Sequence, residues 1–376
     1  MMAKHFGALP YQMIREMIEG GFIGPYPPIL FDQSLSQVQP ASFDLTLSEE
    51  IYRVRSVFLP RPTESIRKAM QIVCPEKHSF DSPLDVDATY LVRLSEMVAL
   101  PQEVYGYANA KSSSGRNDIH ARMLADGITR FDSIGEKGYR GSLWALVTPR
   151  SFRVKLNPGD SLIQMRFFNR DTRFDGDDEL EIAYQKHKLL FTPEGEFIDY
   201  SRLQMRDHDG TLILTLNLDF DVVGFRCEKS QEVLDFSKRV FYKPEDFFQP
   251  IPRQKNGSVI LRRGDFYIFT TKEFFRVPSE LAAEVVPVDI RAGDYRVHYA
   301  GYFDPGWGLG FDGSLNGAPA VLEIRPFEDN LVIRDGQPIC KIKFERMAEI
   351  PEMVYGQTGS HYLHQRGPRL SKHFKT

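Results

Sequence analysis

The chain has little cysteine: only Cys74, Cys227 and Cys340 occur in 376 residues, and no two of them form a C-x-x-C pair. Such spacing argues against a zinc ribbon and against a disulfide framework, and it is ordinary in a reducing cytoplasm. The sequence also lacks an apolar run of about 18 residues, so no membrane span is expected, and its first residues lack the apolar stretch of a signal peptide. We therefore expect a cytoplasmic protein with no membrane partner.

An excess of positive charge is missing as well. The chain has 47 Lys and Arg against 51 Asp and Glu, a formal net charge of −4. A strongly basic balance would indicate nucleic acid as the partner, and none is expected here, although a few local cations could still hold a small polyanion. The H-x-E and P-C-x-x-C signature of zinc nucleobase deaminases is absent, as are a Walker loop and HExxH. Zinc chemistry is therefore not expected.

The sequence does contain an internal repeat. Residues 90–103 resemble residues 267–280 at an offset of 177, and residues 158–167 resemble residues 335–344 at the same offset. Between these segments, Gly138-Tyr139 matches Gly306-Trp307 after a shift of about ten residues. An offset of 177 residues that is interrupted and then restored indicates two copies of one fold with different loops.

Most of the chain reads as short strands. Apolar or alternating runs recur between Pro, Gly, Asp and Asn, which is typical of a barrel or sandwich in each copy; examples are residues 42–47, 89–93, 143–147 and 161–167. The clearest helix is at residues 11–19, where Met13, Ile14, Met17 and Ile18 share a face and Gly20 and Gly21 follow as a stop.

The domain boundary is expected near residue 185. Residues 169–181 are highly charged and predict a linker or an exposed loop. The resulting domains are residues 1–185 and residues 186–376.

Four segments could carry chemistry, and each has a structural alternative. Residues 111–116 (Lys-Ser-Ser-Ser-Gly-Arg) combine hydroxyls, a glycine and two cations, which suits a triphosphate or a polar surface turn. Residues 300–307 contain Asp-Pro-Gly, a turn signature, whose Asp304 could also contact a sugar and base. Glu323 stands among apolar neighbours and either faces solvent or works as a general base in a pocket. The Gly- and His-rich tail, residues 355–367, is either disordered or closes over a ligand.

Together these segments resemble the dCTP deaminase family, of the trimeric dUTPase-like superfamily of β-barrels. That family carries R-S-S-x-x-R, a D-P-G-W turn, a strand ending in V-L-E, and a tail of the form Y…K-Y-x-x-Q-x-G that folds over the nucleotide. Lys111 replaces the first arginine here, and His361 stands where the family has lysine, one residue out of spacing. The resemblance implies two tandem, mainly β domains, each a distorted jelly-roll barrel with a few short helices.

The resemblance also implies a set of site residues. The catalytic residues would be Glu323, Arg116 and Ser112. The substrate-binding residues would be Lys111, Ser113, Ser114, Ala300, Tyr302, Asp304, Val321, Leu322, Tyr355, His361 and Gln365.

Each copy lacks part of this set. The position that matches Glu323 in the first copy is Leu146, and residues 288–293 replace the phosphate motif in the second copy without its serine pair. We therefore expect a composite site, with Ser112, Ser113 and Arg116 from one copy and Glu323 and Asp304 from another. The alternative is that only incomplete sites remain.

The implied activity is deamination of dCTP to dUTP and ammonia without zinc, with Mg²⁺ bound to the nucleotide. A homo-oligomer with sites between barrels is expected. Two alternatives stay open. One is a dUTP diphosphatase or a bifunctional enzyme that forms dUMP, and the other is a nucleotide-binding barrel without catalysis.

Overall fold

A computed structural model describes residues 6–25, 36–135, 138–203, 205–287, 295–297, 301–310, 313–357, 360 and 362–375. The chain forms two compact units. The first unit comprises Met1–Asp171, Lys229–Lys243 and Lys372–Thr376, and the second comprises Thr172–Glu228 and Pro244–Ser371.

The first unit is built mainly from antiparallel strands. Its six-stranded sheet has the order β4-β3-β5-β8-β7, with β1 also paired to β5, and its three-stranded sheet has the order β2-β10-β6. A short parallel pair, β9-β14, joins the unit to residues from later in the chain. The strands are β1 Ile23–Pro25, β2 Phe43–Leu45, β3 Leu47–Val54, β4 Glu76–Lys77, β5 Thr89–Ala99, β6 Tyr105–Ala110, β7 Ile119–Ala125, β8 Arg140–Pro149, β9 Arg153–Lys155, β10 Ile163–Phe168 and β14 Val233–Asp235.

The second unit repeats this plan. Its sheets have the orders β15-β13-β17-β21-β19, with β11 paired to β17, and β12-β23-β18-β20, and a ribbon pairs β16 with β22. The strands are β11 Leu190–Phe191, β12 Thr211–Thr215, β13 Val222–Cys227, β15 Phe248–Pro252, β16 Ser258–Leu261, β17 Tyr267–Phe275, β18 Leu281–Val286, β19 Tyr295–Val297, β20 Tyr302–Phe303, β21 Ala318–Pro326, β22 Leu331–Arg334 and β23 Pro338–Arg346.

Strand register confirms that the two units are copies of one fold. Leu91 of β5 pairs with Leu146 of β8, and Ile268 of β17 pairs with Glu323 of β21; both partners are displaced by 177 residues. The predicted shift also holds, because Leu100 N–H donates to Tyr139 O at 2.8 Å, as Val277 N–H donates to Trp307 O at 2.8 Å. The prediction of two mainly β domains is confirmed.

The helices are few and short. The first helix, Tyr11–Glu19, has the predicted bounds and buries Met13, Ile14, Met17 and Ile18, and Gly20 N–H closes its last turn on Glu16 O at 2.8 Å. The other helices of the described residues are Ile66–Ala69, Ser112–Gly115 and Asp177–His187, with 3-10 turns at Met70–Val73, Tyr200–Arg202 and Pro244–Asp246. No helix of the described residues is long and apolar enough to cross a membrane.

The charged segment predicted as a linker is in part a helix. Asp177–His187 forms the second unit's helix and buries Leu180, Ala183 and Tyr184. The acidic residues of this segment obscure the helical spacing of these buried residues in the sequence, yet they occupy the first turn, where negative charge stabilises a helix. The units accordingly divide between Asp171 and Thr172 rather than near residue 185, and the first unit also takes in Lys229–Lys243 and Lys372–Thr376.

Candidate active site

The turn at residues 111–116 begins where β6 ends. Lys111 N–H donates to Leu162 O at 2.9 Å, and the Ser114 hydroxyl donates to the same carbonyl at 2.9 Å. Ser114 is fully buried and Ser113 almost so. The Ser114 hydroxyl proton therefore anchors the turn, which leaves Ser112 and Ser113 as the hydroxyls better placed for a ligand.

The cation at position 111 is not isolated. The Lys111 ammonium forms an ion pair with the carboxylate of Asp44, a residue outside the predicted site. Burial lowers the pKa of Lys372 to about 8, with further contributions from the charges of Lys111 and Arg239. Because Asp44, Arg239 and Lys372 come from three distant parts of the chain, no local motif could have indicated them.

Arg116 ends the same turn. Its backbone N–H donates to Ser112 O at 3.0 Å, and the residue is only 3% exposed. Burying a guanidinium is costly unless its charge is compensated. A buried arginine at the end of a turn that contains three serines is an arrangement that suits an oxyanion.

Glu323 lies in the middle of β21, on the face of the sheet opposite the core of its unit. Its neighbours Leu322 and Ile324 belong to that core, and successive side chains of a strand alternate between faces. Glu323 is nevertheless only 3% exposed. Glu323 is therefore a buried carboxylate that lies outside the barrel core. The side chain of Leu322, in contrast, belongs to the core, so this residue can offer a ligand only its backbone groups.

The equivalent face of the first unit is filled with apolar side chains. Leu146, at the register position of Glu323, packs in a cluster with Ile66, Met70 and Val73. Trp144, two residues earlier on β8, belongs to the same cluster. This part of the first unit thus has packing where the second unit has a carboxylate.

The Asp-Pro-Gly turn is tightly packed against the beginning of the tail. Tyr355 N–H donates to Pro305 O at 2.8 Å, and the Tyr355 ring lies 5.1 Å from that of Trp307. Gly306 has φ +95°, and a Cβ there would lie 2.8 Å from Val354 Cβ, so only glycine fits. Asp304 is 9% exposed at the start of this turn.

The remaining residues predicted for this region fall into two groups. Tyr302 pairs with Glu284 in the neighbouring strand, and Val321 is buried on the same face of β21 as Glu323. Ala300 and His361 lie outside the described residues.

The tail is docked on the second unit. Gln365 Nε2 donates to Pro319 O at 2.8 Å, at the beginning of the strand that carries Glu323. Gln365 is 3% exposed, and Tyr362 packs against the core. The described part of the tail is therefore packed on the barrel, in contrast to the disordered alternative.

One glutamate position recurs in both units, as Glu96 and Glu273. Glu96 accepts hydrogen bonds from Thr46 N–H (3.0 Å), Thr46 Oγ1 (2.6 Å) and Gln37 Nε2 (2.7 Å). Glu273, displaced by 177 residues, accepts from Thr215 N–H and Oγ1, both at 2.7 Å. Burial raises the pKa of both carboxyls. Since each unit has the same Glu–Thr pair, these carboxylates serve the fold rather than the candidate site.

The described residues contain no group of three or more His, Cys, Asp or Glu side chains that could hold a metal ion.

Family models match both halves of the chain. The N-terminal domain of 2'-deoxycytidine 5'-triphosphate deaminase matches residues 5–171, and the C-terminal domain matches residues 177–374. The chain belongs to the 2'-deoxycytidine 5'-triphosphate deaminase family. The domain matches also agree with the division into two units.

Relatives and a solved structure agree with the family. The chain is 31% identical over 133 residues to "dCTP deaminase, dUMP-forming" of Methanosphaera stadtmanae, a match covering 34% of this chain and 63% of the relative. It is 33% identical over 137 residues to the protein of that name from Dictyoglomus turgidum, covering 34% and 64%. The chain thus spans somewhat less than two thirds of the length of these curated relatives. The crystal structure of 2'-deoxycytidine 5'-triphosphate deaminase from Agrobacterium tumefaciens matches 93% of this chain and 100% of its own, with a TM-score of 0.81 and 30% identity.

Proposed function

We propose that the chain deaminates dCTP to dUTP and ammonia. The observation that carries this proposal is the buried Glu323 carboxylate on the non-core face of β21, in a chain whose two halves match the dCTP deaminase domains. A buried carboxylate beside a bound base can accept a proton from water and return it to the leaving group.

In the proposed reaction, Glu323 accepts a proton from a water molecule whose oxygen attacks C4 of the cytosine ring. The tetrahedral intermediate then carries both a hydroxyl and the amino group. Glu323 returns the proton to this amino group, the C4–N bond breaks and ammonia leaves, and the proton of the remaining hydroxyl moves to N3, which gives the C4 carbonyl and the N3–H of uracil. One carboxylate therefore works first as base and then as acid, and no net proton is consumed at the enzyme.

The phosphate motif would hold the substrate. Ser112 and Arg116 are proposed to orient the water and stabilise charge near the reacting carbon, and Lys111 and Ser113 to bind the triphosphate, while Ser114 holds the turn through Leu162 O. The nucleotide enters as its Mg²⁺ complex, so the ion is part of the substrate and needs few protein ligands. That Arg116 and Glu323 serve one site stays a prediction.

The base and sugar are proposed to meet residues of the second unit. Asp304, Tyr302 and Val321 would contact the nucleoside, together with Ala300 and the backbone of Leu322. Tyr355, His361 and Gln365 belong to the tail, which would cover the nucleotide and exclude bulk water.

A second candidate product is dUMP. The two relatives named above are called dUMP-forming, whereas the Agrobacterium tumefaciens structure is titled simply as a deaminase. Cleavage of dUTP to dUMP would release pyrophosphate in addition to ammonia. The two products therefore differ in a quantity that can be measured directly.

The test is an ammonia-release assay on Mg²⁺–dCTP with the nucleotides separated by chromatography. Ammonia with one equivalent of dUTP supports the simple deaminase, and ammonia with dUMP and pyrophosphate supports the bifunctional enzyme. Tight binding of dCTP without ammonia would contradict both and support the nucleotide-binding barrel.

We further propose that the protein acts in the cytoplasm as a homo-oligomer with sites between barrels. Mixing Arg116→Ala chains with Glu323→Gln chains tests whether one site combines residues of two chains. Recovery of activity would require Arg116 and Glu323 of one site to come from different chains. No recovery after subunit exchange would require them to come from the same chain.

A further inference from the structure

The residue that follows the phosphate motif, Asn117, is fully buried and has both amide hydrogens engaged. Asn117 Nδ2 donates to Ser113 O at 2.8 Å and lies 2.9 Å from Nδ1 of His373. Because a carbonyl oxygen can only accept, the contact with Ser113 fixes the amide orientation. The second amide hydrogen must then be accepted by His373, the fourth residue from the end of the sequence.

The surroundings of His373 allow its Nδ1 to accept this hydrogen bond. It is completely buried, and its Nε2 lies 3.2 Å from the carbonyl oxygen of Phe236. With Nδ1 accepting from Asn117, the ring proton belongs on Nε2, where it is donated to this carbonyl. The ring also packs on that of Phe236 at 4.6 Å. One neutral tautomer thus satisfies both ring nitrogens.

Residues 372–375 are fixed by backbone hydrogen bonds to residues 240–242. Val240 N–H donates to Lys372 O at 2.9 Å, Phe241 N–H to His373 O at 2.9 Å, and Lys375 N–H to Tyr242 O at 2.9 Å. Residues 233–235 in turn pair with β9. Three segments far apart in the sequence, around positions 113, 236 and 373, therefore converge within the first unit.

We propose that His373 is a positioning residue for the phosphate-binding turn. Through Asn117 it holds the carbonyl of Ser113, and with it the backbone that presents Ser112, Ser113 and Arg116. This proposal rests on the proposed function for its effect on dCTP, but the structural link from His373 to the turn can be tested without any nucleotide. In the proposed mechanism, neither Asn117 nor His373 contacts the reacting atoms.

The test compares four variants in the full-length chain. His373→Phe keeps the ring volume and loses the acceptor; Asn117→Ala removes the donor; His373→Asn places a carbonyl oxygen near the position of Nδ1. Lys375→Ala is the matched control, since this side chain is exposed and the backbone bond to Tyr242 is retained. The readouts are hydrogen exchange of the amides of residues 112–117, kcat and KM for dCTP, and the melting temperature.

We expect faster exchange of these amides and an increase in KM of about tenfold to a hundredfold in His373→Phe and Asn117→Ala, because small displacements of binding groups have effects of this size. We expect kcat to change less. His373→Asn should recover most of the KM, and Lys375→Ala should behave as the parent chain. A melting temperature near that of the parent would show that these effects are local; if His373→Phe fails to fold, the comparison of Asn117→Ala with His373→Asn decides.

Unchanged exchange in His373→Phe or in Asn117→Ala overturns the proposal, whatever the activity. Faster exchange with unchanged KM also overturns it, because binding of dCTP would then not depend on this support. If the parent chain releases no ammonia from dCTP, the proposed function fails, while the exchange measurement and the dissociation constant for dCTP still decide whether His373 positions the turn.

Discussion

The two units share their strand register but differ in what they place at one position of it. In the first unit, β8 presents Leu146 to an apolar cluster that contains Ile66 and Met70. In the second, β21 presents Glu323 at the same position, buried and on the non-core face. The phosphate motif has the opposite distribution, because residues 111–116 of the first copy contain a serine pair and the equivalent positions of the second copy do not. A duplicated barrel can therefore keep its architecture while its two copies differ in which of the predicted site residues they carry.

Glu323→Gln tests this division most strongly. We expect kcat for dCTP deamination to fall by about 10²- to 10⁴-fold, because the amide cannot transfer the proton, while the dissociation constant for dCTP changes little. Leu146→Met, a volume-conserving change at the equivalent position, should leave activity intact. Normal ammonia release by Glu323→Gln would show that the carboxylate has no catalytic role.

Arg116→Ala addresses the contribution of the first unit. We expect kcat/KM for dCTP to fall by about 10²-fold, because the guanidinium is proposed to position the reacting groups. Arg61→Ala is a suitable control, since Arg61 is an exposed residue of the same unit. A value for Arg116→Ala equal to that of the control would remove the first unit from the active site.

The recurring glutamates allow the stabilities of the units to be compared. Glu96→Ala should lower the free energy of unfolding by about 1–3 kcal/mol, because it removes the acceptor of the partly buried donors of Thr46 and Gln37. Glu273→Ala should cost less, since Thr215 is its single side-chain-bonded neighbour among the residues that the structure describes. Urea unfolding of both variants and of the exposed control Glu49→Ala measures this. An equal loss in both units would mean that the extra contact with Gln37 contributes nothing.

The smallest expected effect is a pH dependence that belongs to the first unit. Burial raises the pKa of Asp132 to about 6, although its ion pair with Arg122 acts in the other direction. Because the pKa in the folded state is above that in the unfolded chain, this group favours folding at about pH 4, and the contribution is lost as the pH rises through 6. The melting temperature of the parent relative to Asp132→Asn should fall by a few degrees between pH 4 and pH 7. A constant difference would contradict the assignment.

Much of the fold could be predicted from local sequence. The helix at residues 11–19 was predictable because four apolar residues at helical spacing precede a glycine pair. The repeat was predictable because the strand segments around Tyr90 and Tyr267 keep their sequence pattern. The helix Asp177–His187 was missed because its charged first turn has the composition of a loop, although three of its side chains pack in the core.

The candidate site was less accessible to the sequence. The motifs identified Glu323, Arg116 and the serines, but no local pattern could show that Ser114 is bonded to Leu162 or that Leu322 belongs to the core. The ion pair of Lys111 with Asp44 and the contact of Asn117 with His373 were equally out of reach. These pairs are separated by tens to hundreds of residues, and one sequence contains no signal that links such positions.

The sequence by itself determined the duplication, the strand pattern and the residue types of the motifs, because periodicity and turn chemistry act over a few neighbouring residues. Only the tertiary structure decided that residues 229–243 and 372–376 complete the first unit, and that the buried Glu323 faces away from its own core. The physical reason is that burial and long-range hydrogen bonds depend on which segments meet in space, and that is settled when the whole chain folds.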